Sequence, residues 1–289
     1  MSELRDTRLE KAKALKTLGQ GPYGLNFRPT DSASVLQEKY EDLPNGEEKK
    51  ETKKGMVIEE DKLSNLPNPV KELLQEEKER IAFKPNDGPQ TQFLAAPEQD
   101  VLYGGAAGGG KSYAMLVDPL RFMHIKEHRA LLLRKSMPEL RELIDKSREL
   151  YPKAFQGAKF REVEKIWKFP SGASLEFGYL DRDADVYRYQ GQSYTWIGID
   201  ELGHYPTPYV WDYLRSRLRT TDPKIETYMR ASANPGGVGG WWIKKMFIDP
   251  AAPNKSFEAT DIDTGETLRY PAGHEKAGKY LFKRKFIPA

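Results

Sequence analysis

Eight consecutive residues, Gly105-Ala106-Ala107-Gly108-Gly109-Gly110-Lys111-Ser112, constrain this chain more than any other feature. They fit G-x-x-x-x-G-K-[ST] with no mismatch. A short apolar run, Val101-Leu102-Tyr103, precedes them, and a helix pattern over Ser112 to Met123 follows. A strand turning through glycines into a helix is the context such a loop requires. The glycines let backbone N–H groups turn inward and approach phosphate oxygens closely. The following helix adds the positive end of its dipole. Lys111 is placed to reach the β- and γ-phosphates. Ser112 is placed to offer its hydroxyl to Mg2+, an ion that takes oxygen ligands and waters. The whole segment, including Gly105, Ala106, Ala107, Gly108, Gly109 and Gly110, is therefore expected to cradle ATP.

The flanking pattern gives the fold class. From Gln90 onward short apolar runs alternate with helical patterns. Ala130 to Leu133 and Thr195 to Ile199 read as buried strands, and Ile225 to Ala231 as another that ends at Ser232. Pro138 to Leu150 and Tyr209 to Leu218 read as helices, and Lys165 to Phe169 with Ser174 to Phe177 as a hairpin. Strand and helix in alternation argue an α/β fold, a mostly parallel sheet flanked by helices.

Before Gln90 the texture differs. Residues 1 to 18 form a charged amphipathic helix pattern, broken by the glycines and prolines of Gly19 to Pro29. Residues 37 to 62 are rich in Glu and Lys and hold too little apolar surface for a core. Pro69 to Phe83 reads as a helix. The expected division is a largely flexible extension over 1–62, a helical lead-in over 63–89 and an ATPase domain over 90–289. Of 289 residues 38% are hydrophobic, enough for one such domain. The chain has no cysteine, which excludes disulfides, zinc–thiolate sites and thiol nucleophiles. No apolar run is long enough to span a membrane, and no apolar signal core stands at Met1. These features place the protein in a cytoplasm. The net charge of +3 neither demands nor excludes nucleic acid.

A phosphate loop alone does not separate kinase from motor. Thr195-Trp196-Ile197-Gly198-Ile199-Asp200-Glu201 adds two consecutive carboxylates at a strand end. Asp200 is expected to hold Mg2+ through a water. Glu201 is expected to orient and deprotonate the attacking water. Farther on, Ser232-Ala233-Asn234-Pro235-Gly236-Gly237 ends another strand, where the Asn234 amide can sense a γ-phosphate. Arg215, Arg217 and Arg219 alternate along one segment and, with Lys244 and Lys245, are candidate contacts to DNA phosphates. Trp241 and Trp242 read as packing residues, and His204 as a structural neighbour of Glu201. Two other functions share these motifs, a helicase-like or DNA-repair ATPase and a small-molecule kinase.

Tyr103 to Ser112, Ile197 to Glu201 and Ser232 to Pro235, in that order, resemble the three ATPase motifs of the tailed-phage terminase large subunit. The resemblance covers roughly Gln90 to Ala289. It implies a P-loop NTPase of the additional-strand, catalytic-glutamate class that hydrolyses ATP to move viral double-stranded DNA into procapsids. Gln90, with Gln92 as second choice, resembles the glutamine that reads adenine. Tyr189-Gln190-Gly191 resembles a motif whose arginine serves a neighbouring subunit. Gln190 stands in that place here, so Arg188, Arg182 and Arg134 are the candidate arginine fingers, Arg188 first. The family further implies the portal protein and the terminase small subunit as partners, a homo-oligomeric ring on the capsid, no membrane, and the cytoplasm of an infected bacterium. In relatives a segment similar to Lys283 to Ala289 precedes the linker to an RNase H-like nuclease domain, which the resemblance implies is a C-terminal domain absent from this chain.

Overall fold

Apolar side chains that alternate along buried strands belong to a sheet covered on both faces. In the strand Asp100–Gly104 (β1), Val101 and Tyr103 join one hydrophobic core while Leu102 joins another. In Arg129–Arg134 (β2), Ala130 and Leu132 face the first core and Leu131 and Leu133 the second. The computed structural model describes residues 82–105 and 108–289, all within the unit Ile81–Ala289. The expectations for residues 1 to 62 and for most of Pro69 to Phe83 lie outside the described residues. Ala82 and Phe83, at the end of that expected helix, are not helical.

The remaining strands are Lys159–Arg161 (β3), Ile166–Lys168 (β4), Ser174–Tyr179 (β5), Trp196–Ile199 (β6), Tyr228–Ala233 (β7), Ser256–Glu258 (β8) and Lys283–Pro288 (β9). Their order across one sheet is β3-β4-β5-β2-β6-β7-β1-β9-β8. The six strands from β5 to β9 in that order run parallel, and β3, β4 and β8 are antiparallel additions at the two edges. Helices Pro89–Ala95 (α1), Lys111–Val117 (α2) and Met137–Ala154 (α3) bury side chains in the first core. Tyr209–Arg215 (α4) and Gly240–Ile243 (α5) bury theirs in the second. The α/β class read from the sequence is the observed one.

Two local readings need correction. The helix after the phosphate loop ends at Val117 and tightens into a 3-10 turn over Asp118–Phe122. Pro119 is the reason, since it lacks the N–H of a continuing α-helix. The strand expected from Ile225 begins at Tyr228, beyond the turn at Pro223 and Lys224. Lys283–Pro288 is a strand beside β1. Gly105 shows how close that neighbour is. Its φ is +143°, and a Cβ there would stand 2.9 Å from the backbone nitrogen of Ala289.

Buried polar side chains tie the strands to the first face. Arg230 on β7 is 1% exposed and donates to the carbonyls of Ala96 and Glu98, with Asp118 3.5 Å from its Nε. Trp196 Nε1 donates to Asp118 at 2.8 Å. His128, fully buried ahead of β2, has Nε2 2.9 Å from Pro119 O and Nδ1 2.7 Å from Thr195 Oγ1. The carbonyl accepts only, so Nε2 carries the proton and Nδ1 accepts from the threonine hydroxyl. Burial pushes the imidazole pKa from 6.5 down to about 4. As pH falls through that window the unfolded chain takes up a proton that the folded chain refuses. This single site therefore costs up to about 3 kcal/mol of stability between those pH values. Urea unfolding at neutral pH and near pH 4.5 checks it: His128→Gln should lose less stability on acidification than wild type, and an equal loss contradicts the assignment.

Candidate functional site

Parallel strands deliver their C-terminal ends to one edge of a sheet, and ligands of open α/β sheets bind outside that edge. Here β7 lies between β1 and β6, and β2 flanks β6 on the other side. Gly104 is in register with Ala233, and Leu133 with Ile199. The phosphate loop after β1, Arg134 at the end of β2, the Asp200-Glu201 pair after β6 and Ser232 near the end of β7 thus emerge together.

The loop is braced from below. Tyr103 Oη donates to Gly109 O at 2.6 Å, and its ring stacks on Phe93 of α1 at 5.1 Å. Gly110 caps α2 in the left-handed region with φ +69°, and a Cβ there would lie 2.5 Å from Gln90 Nε2. Only glycine meets both demands without displacing the brace. Gln90, 3% exposed, donates from Nε2 to Gly110 O at 2.9 Å and accepts at Oε1 from Asn86 N–H at 2.7 Å. The sequence did not foretell this bracing role. One N–H and one lone pair of the amide remain beyond these two bonds. Gln92 faces outward and is exposed. Ala106 and Ala107 lie outside the described residues. Gly108 has φ +87°, and a Cβ there would meet nothing within 4 Å, so open space lies beside the loop.

Lys111 is 8% exposed, and its Nζ donates to Gly105 O at 3.1 Å. Burial lowers its pKa, while the charges of Asp200 and Glu201 work to raise it. Asp200 is fully buried. Ser232 Oγ donates to its Oδ1, and Arg134 Nε donates to its Oδ2 at 2.8 Å. Arg134 Nη2 lies 2.6 Å from the same Oδ2, donates to Ser112 Oγ at 3.2 Å and stands 3.7 Å from Glu201 Oε1. Burial works against the guanidinium's charge, but Asp200, then Glu201 and Glu139, outweigh it and raise the Arg134 pKa.

Glu201 leaves the strand in the left-handed region, φ +60° and ψ +50°. Such backbone costs a non-glycine residue of order 1 kcal/mol or more and persists where the surroundings enforce it. Ser232 Oγ supplies part of that enforcement by accepting from Glu201 N–H at 2.9 Å. The turn separates the two carboxylates: Asp200 stays inside and Glu201 is 28% exposed toward the loop edge. His204 Nδ1 sits 3.5 Å from Glu201 Oε2, on the side away from Arg134. The site therefore joins Lys111, Ser112, Asp200, Glu201 and Arg134. Its oxygen donors, a hydroxyl and two carboxylates, suit Mg2+, and its glycine loop suits phosphate, so the residues present fit both expected ligands.

Other expected residues lie elsewhere. Asn234 is exposed in the loop after β7, whereas Ser232, two residues earlier and inside the strand, touches the acidic pair. A serine at a strand position carries no distinctive signal in the sequence. Arg188 is 53% exposed, pairs with Asp185 at 2.8 Å and lies over the Tyr179 ring, and Arg182 is exposed as well. The alternating arginines do not share a face: Arg215 ion-pairs with fully buried Asp100, Arg217 covers the Tyr213 ring, and Arg219 donates to Ser193 and the carbonyls of Gly191 and Gln192. Lys244 pairs with Asp249, while Lys245 lies over the ring of Trp241. Trp242 is buried, while Trp241 is 53% exposed.

Residues 102–258 match the family described as the N-terminal part of the terminase large subunit, T4-like-virus type. Among curated proteins, lysine–tRNA ligase of Parasynechococcus marenigrum (strain WH8102) is 65% identical over 52 residues, 18% of this chain and 10% of that enzyme. The same enzyme of Synechococcus sp. (strain CC9902) is 63% identical over 49 residues, 17% of this chain and 10% of that one. The chain thus spans about a tenth of the length of these curated relatives. Among solved structures, the large terminase of the thermophilic bacteriophage D6E superimposes at TM-score 0.43 and 17% identity, over 53% of this chain and 40% of that one. The ATPase domain of the large terminase of Thermus phage P74-26 superimposes at TM-score 0.47 and 10% identity, over 74% and 83%.

Ser232→Ala removes a partner from Asp200 Oδ1 and from Glu201 N–H together. Leaving buried polar groups unpaired is expected to cost about 1–3 kcal/mol in urea unfolding, whereas an unchanged midpoint would remove Ser232 from the site.

Proposed function

The chain belongs to the terminase large-subunit family, and from that premise we propose that it hydrolyses ATP with Mg2+ and so drives viral double-stranded DNA into procapsids. The observation that carries this reading is the meeting of Lys111, Ser112, Asp200 and Glu201 at one sheet edge, held by Arg134 and Ser232. The interposed strand β7 supports the additional-strand class, and the outward turn of Glu201 supports its assignment as the catalytic glutamate.

Each residue has a definite task in this reading. Backbone N–H groups of Gly105, Ala106, Ala107, Gly108, Gly109 and Gly110 cradle the phosphates. Lys111 neutralises charge on the β- and γ-phosphates. Ser112 and Asp200 would hold Mg2+, which would supply positive charge to offset that of the phosphates. Glu201 takes the proton from the attacking water. Its partial exposure between Arg134 and His204 leaves it within reach of solvent. The remaining N–H and lone pair of Gln90 read the adenine edge, so the same residue links base recognition to the loop it braces. Asn234, on the exposed loop after β7, senses the γ-phosphate. Arg188, exposed beside the glycine turn at Gly191, serves a neighbouring subunit as the finger.

A division into residues 1–62, 63–89 and the ATPase domain 90–289 goes with this reading. So do assembly as a homo-oligomeric ring on the portal protein, a partnership with the terminase small subunit, and work in the cytoplasm of the infected bacterium. Among the described residues no helix is long and apolar enough to cross a membrane. Glu201→Gln should bind ATP as wild type does and hydrolyse it at least about 100-fold more slowly, while Lys111→Ala should weaken binding itself. Steady-state turnover beside equilibrium nucleotide binding checks both, and normal turnover by Glu201→Gln would remove the base from its role.

A further inference from the structure

Arg134 is one of the three candidate fingers, and its surroundings give it another task. Its side chain is 7% exposed, too enclosed to serve a neighbouring subunit. Its backbone is held against β5, in register with Tyr179, and its carbonyl accepts from Leu180 N–H at 3.0 Å. Only the side chain can move. The guanidinium fork spans Ser112 Oγ and Asp200 Oδ2, with Glu201 Oε1 at 3.7 Å, and Nη1 donates to Glu139 O at 3.2 Å.

Those oxygens are the ones a divalent ion needs. Mg2+ takes oxygens at about 2.1 Å, so neither the ion on Ser112 Oγ nor a water between it and Asp200 can use lone pairs that the guanidinium already holds. Both lone pairs of Asp200 Oδ2 are taken by Arg134 N–H groups, and Ser232 takes one of the two on Oδ1. A fully buried carboxylate also needs a cation beside it, and Arg134 meets that need without any metal.

We propose that Arg134 is a built-in counter-cation of the metal-binding oxygens, which a divalent ion must displace, so that metal enters well only with nucleotide phosphates to receive the guanidinium. The proposal rests on the reading of Ser112 and Asp200 as the metal-holding pair. It makes Arg134 a positioning residue that acts within its own subunit. It also gives a physical reason for ordered loading: metal alone meets a competitor already bonded to its ligands, whereas phosphate oxygens accept bidentate guanidinium bonds as well as a carboxylate does.

The test is Mn2+ binding to the full chain without nucleotide, followed by the paramagnetic signal of the free ion. Arg134→Gln should bind Mn2+ about tenfold more tightly than wild type, the scale of one charge-assisted contact no longer competing. Lys135→Gln removes a neighbouring cation that donates to Asp181 O and lies over the Tyr205 ring instead, and should leave Mn2+ affinity within about threefold of wild type. Equal gains in both variants would mean general charge rather than displacement and would overturn the proposal, as would no gain in Arg134→Gln. A second arm locates the ion. Glu139, Glu201 and His204 bring ligand atoms within 4.8 Å of one another, and Glu139 Oε2 is buried without a hydrogen bond. Asp200→Asn combined with Arg134→Gln should abolish the gain; a gain that persists puts the metal on that trio and overturns the proposal. Should Arg134→Gln fail to fold, Arg134→Lys keeps the charge without the fork and should still bind Mn2+ a few-fold more tightly than wild type, with equal affinity counting against the proposal. ATP binding by wild type is scored separately, so its absence would sink the proposed function and not be mistaken for this result.

Discussion

A buried carboxylate with a cation on one oxygen and a hydroxyl on the other organises this molecule. Asp200 stands at the end of β6, out of solvent, and its two oxygens are held by Arg134 from β2 and Ser232 from β7. The strand order makes this possible, because β6 lies between β2 and β7. An unpaired charge at that depth would destabilise the fold by several kcal/mol. The same bonds draw Ser112 of α2 and the backbone of Glu201 toward the sheet edge. The site is assembled by satisfying one charge.

That constraint also orders the loops around it. Glu201 accepts left-handed backbone because the residue before it is anchored and its own N–H is bound to Ser232. The phosphate loop is held separately, by Tyr103 and Gln90 from below and by the close approach of β9 to Gly105. One set of contacts fixes the phosphate cradle and another fixes the acidic pair. Arg134, through Ser112, is where the two sets meet.

Strands buried on both faces were legible because their residues are almost all apolar, as in Leu131-Leu132-Leu133 and Trp196 to Ile199. The phosphate loop and acidic pair were legible because their chemistry needs particular residues at fixed spacing. Two other strands were not, because in Lys159–Arg161 and Lys283–Pro288 basic residues mask the apolar Phe160, Phe286 and Ile287 that pack on the sheet. The roles of Ser232 and Gln90 were hidden for a related reason: each acts through two hydrogen bonds from a position that many residues occupy. Arg134 was visible as a charge at a strand end, but not its partner, since that depends on which strand lies beside it. The three alternating arginines suggested a shared basic face. Asp100, buried at the start of β1, draws Arg215 inward instead.

The central claim is that the anchored carboxylate of Asp200 serves ATP hydrolysis rather than folding alone. ATP turnover by Asp200→Asn, measured beside its thermal unfolding, tests this most directly. Asparagine keeps the shape and one carbonyl acceptor for Arg134, so a folded protein with turnover reduced at least about 100-fold is the predicted result. A folded Asp200→Asn protein that hydrolyses ATP at the wild-type rate would contradict the account.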